Sequence, residues 1–454
     1  MKNLHRILHV YIYNSVEDEW SYISGITSKK LQRETIHSSD KYADCYMYTG
    51  ANLDEFVFIS PVAVSGEFIS YFENLSQTKV TVLTPKKRTN FISLNITHDR
   101  KILQKLKTLA QSYESVSLSA YANTPHIYKV ATTLKRLGFT VIMPHSPQER
   151  DIGMVKPYGS KAGFRTLVEK LHINNPSLLI PEGYIFKSRL KAAEKASQMY
   201  EKFQSIVVKT NRGCAGYGVH IFRKGKLPAN KTERIKQLRE LFNKNNYWKK
   251  NPIVVEKFIP INPKNSSCFP SLEYYIDQKG RTHMYYYCNM IVTPEGEFYG
   301  MEMNKDSVAK KIRTNFLKVT RLIAQEFASS GYRGHLDIDT IYGADKKLYV
   351  NESNLRQNGG TDVYRITKKL IGAKFFSKAF VISRYRDLPA TFDHSFQAVY
   401  HKLEPILFSQ KTKTGIIISS ESVIRNHGLS YAVIGKNKKN AIALERSLNR
   451  ILDR

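Results

Sequence analysis

Two short acidic stretches in the last third of the chain carry residue types that bind hard cations. Asp337 and Asp339 lie two apart in Gly331-Tyr-Arg-Gly-His-Leu-Asp337-Ile-Asp339, and Glu352 and Asn354 lie two apart in Asn351-Glu352-Ser-Asn354. Alternate residues of a strand share a face. The pattern predicts strands over about 335–342 and 348–352, with Gly343-Ala344-Asp345 as the turn. If that hairpin pairs in register, the acids of both strands converge. Carboxylates with an amide oxygen make an all-oxygen site suited to Mg²⁺ held with phosphate. Arg356 follows closely and is a candidate anion clamp. The alternative is an exposed hairpin whose acids are simply solvated.

A second stretch has the makings of a phosphate site. Ser205-Ile-Val-Val-Lys209 reads as a β-branched strand ending in lysine, followed by a loop with Gly213, Gly216 and Gly218 and then a second strand. Glycines let backbone N–H groups approach a phosphate, and lysine adds a point charge. The loop is neither a P-loop nor a dinucleotide fingerprint, because a strand follows it instead of a helix. By itself the glycine spacing fits a plain flexible hairpin equally well. Between the two stretches lie Val255-Glu256-Lys257-Phe258-Ile259, an apolar strand with an acid near its end, and Glu273 on the next strand.

These residues need a scaffold, and the bulk composition bounds it. A chain of 454 residues exceeds one core, so two or three domains are expected. No stretch has the roughly 18 consecutive apolar residues of a spanning helix, and the N-terminal residues do not form a convincing signal peptide. Cys45, Cys214, Cys268 and Cys288 are far apart, which fits a reducing cytoplasm and argues against a disulfide frame or structural zinc. The net charge of +31 is scattered, with Lys86-Lys87-Arg88 among the densest clusters. It suits an anionic substrate or a compositional bias better than a nucleic acid.

Residues 1–150 alternate strands with helices, at 56–60, 79–84, 102–109, 130–137 and 138–144, which implies an open parallel α/β sheet. A helix over 160–171 has Ser160 as its N-cap and sets Lys161 and Arg165 four apart on one face. Residues 231–243 read as a basic amphipathic helix, 252–300 as antiparallel strands, and 307–330 as a long helix leading into the acidic hairpin. A helical segment is expected from Thr361 to about Ser383, and a small α/β unit over 391–454.

The order of these parts resembles the ATP-grasp superfamily over about residues 155–385. Lys209 with the 213–218 loop looks like its phosphate lid, Glu256 to Ile259 like its adenine hinge, and Asp339 with Glu352 and Asn354 like the metal motif of D-alanine–D-alanine-type ligases. The helix at Ser160 leading to Pro181-Glu182-Gly183, the ending Asn358-Gly359-Gly360-Thr361 and the small C-terminal domain further resemble pheganomycin-type peptide ligases. The resemblance implies an α/β (α+β core) protein: a pre-ATP-grasp domain at 1–150, a two-subdomain ATP-grasp fold at 151–390 with ATP between 151–255 and 256–390, and a small domain at 391–454.

It also implies an enzyme, a carboxylate–amine ligase working through an acyl phosphate, with ATP and two Mg²⁺ ions (or Mn²⁺). Its substrates would be a small-molecule or peptide carboxylate and an amine. Lys209 would contact phosphates with the amides of Gly213, Gly216 and Gly218, and Arg165 would be a second phosphate cation unless Lys161 takes that place. Glu256 and the backbone of Lys257, Phe258 and Ile259 would read adenine, and Glu273 the ribose. Asp339, Glu352 and Asn354 would hold the metal, and Arg356 would stabilise the transferred phosphoryl group or the tetrahedral adduct. Two departures from D-alanine ligases stand out: Asp337 occupies their arginine position, and Leu355-Arg356 their Pro-Gly. A small-molecule kinase of the same fold, or a non-catalytic ATP- or polyanion-binding protein, are the other readings. The sequence leaves open whether the chain is a homo-oligomer.

Overall fold

The apolar segments of the first 150 residues are short, β-branched and separated by amphipathic helices, and they assemble side by side. A computed structural model describes residues 6–213 and 218–453. Strands β1 (Ile7–Ile12), β2 (Glu55–Ile59), β3 (Lys79–Leu83), β4 (Ser115–Ala120) and β5 (Val141–Ile142) form a parallel sheet in the order β3-β2-β1-β4-β5. The middle strand, β1, lies in a stretch whose apolar run is broken by His9 and Tyr11. Tyr11 is tolerated there because its hydroxyl donates to Gln357 Oε1 at 2.7 Å, so the buried polar end is satisfied.

The next strands, β6 (Gly183–Phe186), β7 (Ile206–Thr210), β8 (Val219–Phe222) and β9 (Ile253–Lys257), form an antiparallel sheet in the order β6-β9-β7-β8. Helices Arg189–Phe203 and Lys231–Asn243 cover one face, packing Ala196, Met199 and Leu238 on Ile206, Val208 and Val255.

The largest sheet holds β10 (Pro270–Ile276), β11 (Thr282–Val292), β12 (Phe298–Met303), β13 (Gly334–Tyr342), β14 (Leu348–Asn354), β15 (Phe380–Asp387), β16 (Gly415–Ile418) and β17 (Gly428–Gly435). Its order is β14-β13-β10-β11-β12-β15-β17-β16. The expected long helix spans Lys310–Ser329 and buries Ile312, Phe316, Val319, Ile323 and Phe327 against Leu272, Leu336 and Ile338. Each such side chain contributes about 1.5–3 kcal/mol when taken from water.

The helix expected to reach Ser383 ends at Ile371, before Gly372 at φ 99°, and β15 begins at Phe380. Pairing decides this correction: Val381 and Ile382 lie between β12 and β17, where β-branched residues fill an inner strand. The strands expected after residue 391 extend the same large sheet, closed by helix Lys438–Leu452. No helix among the described residues is long and apolar enough to cross a membrane.

The parallel sheet is tied to the large one at the segment after β14. Gln357 donates its N–H to Tyr121 O at 3.0 Å, next to the bridge between Ala122 and Arg356.

Candidate active site

The acidic hairpin forms in the expected register. Asp337 lies opposite Asn354 and Asp339 opposite Glu352, with a bulge just after Asp339. Opposed residues of an antiparallel pair share a face, so all four side chains converge. Asn354 Nδ2 donates to Asp337 Oδ2 at 3.4 Å and to Asp339 Oδ2 at 3.2 Å. Asp339 Oδ1 is buried and has no hydrogen-bond partner. Burial, with the Asp337 and Glu352 carboxylates beside it, pushes Asp339 well above the usual carboxylate range. Burial raises Asp337 as well, despite the hydrogen bond that Ser271 Oγ donates to it at 2.6 Å.

Asp337 and Asp339 are thus buried side by side, and the orphaned Asp339 oxygen is one that a hard divalent cation would take as a ligand. Among the described residues no group of three or more His, Cys, Asp and Glu side chains is placed to hold a metal ion by itself. A cation bound by these oxygens would need further ligands from phosphate or water.

Two lysines meet the cluster. Ser160 Oγ accepts from Gly163 N at 3.1 Å and caps helix Lys161–His172, which fixes Lys161 at the cleft. Lys161 Nζ lies 2.9 Å from Glu352 Oε2. Burial alone would raise the Glu352 carboxyl, but Lys161 and Lys209 outweigh it and hold it below its ordinary value. Lys209, at the end of β7, reaches Glu256 Oε2 at 2.6 Å and Asn351 Oδ1 at 2.8 Å.

Arg165 does not share this position, which corrects the expectation of a second phosphate cation there. It is 1% exposed, and its guanidinium is spent on Glu256 at 2.8 Å, Glu169 at 3.0 Å and Pro181 O at 2.7 Å. Glu256 sits between Lys209 and Arg165; burial opposes its charge, but the two cations win and lower its carboxyl.

Arg356 also links the hairpin to the first sheet. Its Nη1 donates to Tyr121 Oη at 2.8 Å, its Nη2 to Asn354 Oδ1 at 3.2 Å, and its Nε lies 3.4 Å from Asp18. Asp18 also pairs with Arg212 at 3.4 Å. Asp18 stands in no motif, and although Arg212 directly precedes Gly213 in the lysine–glycine stretch, nothing in the sequence pairs the two.

One cavity of about 690 Å³ joins these groups. Lys161, Lys209, Asp337, Asp339, Glu352, Asn354 and Arg356 border it, as do Glu256, Lys257, Phe258 and Ile259. The Arg223 guanidinium packs 4.5 Å over the Phe258 ring and stiffens that wall. Gly213 borders the cavity too, whereas Gly216 lies outside the described residues.

Glu273 does not border the cavity, correcting its expected role toward a ribose. It is fully buried and accepts from Thr361 Oγ1 at 2.7 Å, with His335 Nδ1 at 2.6 Å. Burial pushes its carboxyl up to about 7. Its bond to Thr361 anchors the segment that follows Arg356.

Gly218 precedes β8 at φ 80°, where a Cβ would meet Thr210 Oγ1 at 2.0 Å. Gly218→Ala combines that clash with a left-handed backbone costing about 1–2 kcal/mol. It is expected to lower the melting temperature and raise the KM for ATP in steady-state assays.

No protein-family model and no curated protein matches the sequence. Solved structures do match over nearly the whole chain. N5-carboxyaminoimidazole synthetase from Staphylococcus aureus, complexed with ADP, is 10% identical, covers 100% of this chain and 99% of its own, and superposes with a TM-score of 0.54. The biotin carboxylase domain of Hydrogenobacter thermophilus 2-oxoglutarate carboxylase, solved with MgADP and bicarbonate, is 13% identical over 97% of this chain and 89% of its own, at 0.50. N5-carboxyaminoimidazole synthase from Aspergillus clavatus, with ADP and 5-aminoimidazole ribonucleotide, is 10% identical over 89% of this chain and 100% of its own, at 0.52. These neighbours are ATP-grasp proteins, and the chain has their fold: an open parallel α/β sheet followed by two further sheets whose residues border the cavity.

Proposed function

We propose that the chain is an ATP-dependent carboxylate–amine ligase. It activates a carboxylate as an acyl phosphate, an amine then displaces the phosphate, and an amide, ADP and phosphate leave. The observation that carries this reading is the meeting of Lys161, Lys209, an acid–amide cluster with an orphaned oxygen, and Arg356 at one cavity. Neighbours of this fold were solved with ADP or MgADP, which supports ATP and Mg²⁺ as what the cavity takes.

Lys209 and Lys161 contact the phosphates, and the Lys257–Ile259 backbone lies along the base. Asp339, Glu352 and Asn354 would hold Mg²⁺, which would supply charge neutralisation to the phosphates. Arg356 sits beside that cluster, within reach of the transferred phosphoryl group or the tetrahedral adduct. Phosphoryl transfer needs positioning and charge neutralisation and no protein nucleophile. Tyr121 and Asp18 hold the Arg356 guanidinium in place. The likeness to pheganomycin-type peptide ligases makes an amino acid or a short peptide the amine of choice.

The test is a screen of ADP release against amino acids and short peptides, with mass spectrometry of the products. Stimulation by a carboxylate and amine pair, with an amide product, is expected. Stimulation by a hydroxyl compound that emerges phosphorylated would point to a kinase and contradict this reading.

A further inference from the structure

The cavity has walls that none of the roles above uses. Two side chains on its border, Phe298 and Tyr299, are large, aromatic and adjacent on β12, yet they are 41% and 39% exposed. Successive residues of a strand ordinarily point to opposite faces. Here a bulge intervenes: Gly300 pairs with Ile291 and Phe298 with Val292, which leaves Tyr299 as the extra residue. A bulge re-aims a side chain, so both rings can border one space. Uncovered aromatic surface at the wall of a deep cavity marks a place for a ligand.

The β12 wall reaches the segment that follows Arg356. A Cβ at Gly359 would stand 3.3 Å from Phe298 Cε1, and one at Gly360 would stand 2.9 Å from Met301 Sδ. The two glycines let that wall approach the chain three residues past Arg356. A second aromatic wall begins at Arg356 itself. Its guanidinium packs 5.4 Å over the Tyr121 ring, and Tyr121 packs on Tyr46 with ring centroids 4.9 Å apart. Tyr121, Tyr46 and Met301 border the cavity as well.

The cations gather at the acid cluster. Lys161 meets Glu352, Lys209 meets Glu256 and Asn351, and Arg356 meets Asn354. Glu19 and Arg384 also border the cavity, and each is engaged. Glu19 accepts from Ser15 Oγ at 3.1 Å and from Ser39 Oγ at 2.8 Å, and Arg384 Nε lies 3.1 Å from Glu445 Oε1. A charged group set against rings and a thioether is costly, whereas an apolar group is favoured there.

We infer that Phe298 and Tyr299 hold the substituent of the carboxylate substrate, and that this substituent is an apolar group bearing an aromatic ring. The inference rests on the ligase reading above, which sets Arg356 beside the carboxyl group as it reacts. What that carboxyl carries then extends along the walls adjoining Arg356. Aromatic rings there pair edge-to-face or offset with a ring of the ligand.

The test uses the full-length protein with ATP, Mg²⁺ and the amine that most stimulates ADP release in the screen. N-acetylphenylalanine and N-acetylglycine are compared as the carboxylate, their own amino groups being blocked. The kcat/KM for N-acetylphenylalanine is expected to be about 10- to 100-fold the higher, the worth of burying one benzyl group. Phe298→Ala is expected to raise the KM for N-acetylphenylalanine about 3- to 10-fold. The KM for N-acetylglycine, the KM for ATP and the melting temperature should stay as in the wild type, because the ring is partly exposed. Equal kcat/KM for the two acids, turnover of neither while another pair in the screen is active, or equal rises in KM for both acids in Phe298→Ala overturns the inference and leaves the ligase reading standing. If no carboxylate and amine pair stimulates ADP release by the wild type, both fall together.

Discussion

Lys161→Met is expected to cut carboxylate-dependent ADP release by about 10²- to 10³-fold, the usual cost of one electrostatic contact to a transferring group, and to leave the melting temperature nearly unchanged. Arg165→Met is expected to do the reverse. Lys161 faces the cavity, with Glu352 as its partner at 2.9 Å, and its side chain remains 10% exposed. Arg165 lies one helical turn deeper, 1% exposed, and its loss leaves buried Glu256 with Lys209 as its remaining cation. Breaking a buried pair costs about 3–5 kcal/mol, and Lys209 keeps the cost near the lower end. That is a large share of a domain's net stability of about 5–15 kcal/mol. Thermal melts and steady-state kinetics on the two variants separate the roles. Equal losses of activity at unchanged stability would return Arg165 to the phosphate site.

Glu352→Gln is expected to lower the turnover by about 10³-fold and to steepen the dependence on Mg²⁺ concentration. Glu352 lies opposite Asp339 across the hairpin, where both carboxylates face one point. Glutamine keeps the shape but removes a charge from a site that works by gathering charge around phosphate. A factor of 10³ corresponds to about 4 kcal/mol of transition-state stabilisation, within the several kcal/mol that metal-ion catalysis supplies. The glutamine variant should also weaken the protection of the fold by ATP with Mg²⁺ in thermal melts, while binding without metal changes little. Full turnover in Glu352→Gln would remove the hairpin from the chemistry.

The acidic hairpin was legible because period-two spacing and a glycine turn specify both strand faces and register. The Ser160 cap and the Lys310–Ser329 helix were legible for the same kind of local reason. Lys161 and Arg165 show where periodicity stops. Residues four apart share a helix face, but they sit about 6 Å apart along its axis, and which end meets the cleft is set by packing against Glu256 and Pro181. The resemblance alone points Glu273 to a ribose, whereas pairing of its strand with β11 and β13 buries it against Thr361 and His335. The links from Asp18 and Tyr121 to Arg356 span more than 200 residues of chain, so no local pattern could reveal them. The strand at Phe380 carries β-branched Val381 and Ile382, but the strands that pair with it, β12 and β17, are distant in the chain.

The acyl-phosphate route is tested most directly by following one oxygen atom. The carboxylate substrate from the screen is labelled with heavy oxygen and turned over with ATP and the amine. When the carboxylate attacks the γ-phosphate and the amine then displaces phosphate at carbon, one carboxylate oxygen leaves in the phosphate. The account predicts inorganic phosphate carrying one heavy oxygen per amide formed, with ADP as the nucleotide product. Unlabelled phosphate, or AMP with pyrophosphate, would contradict it.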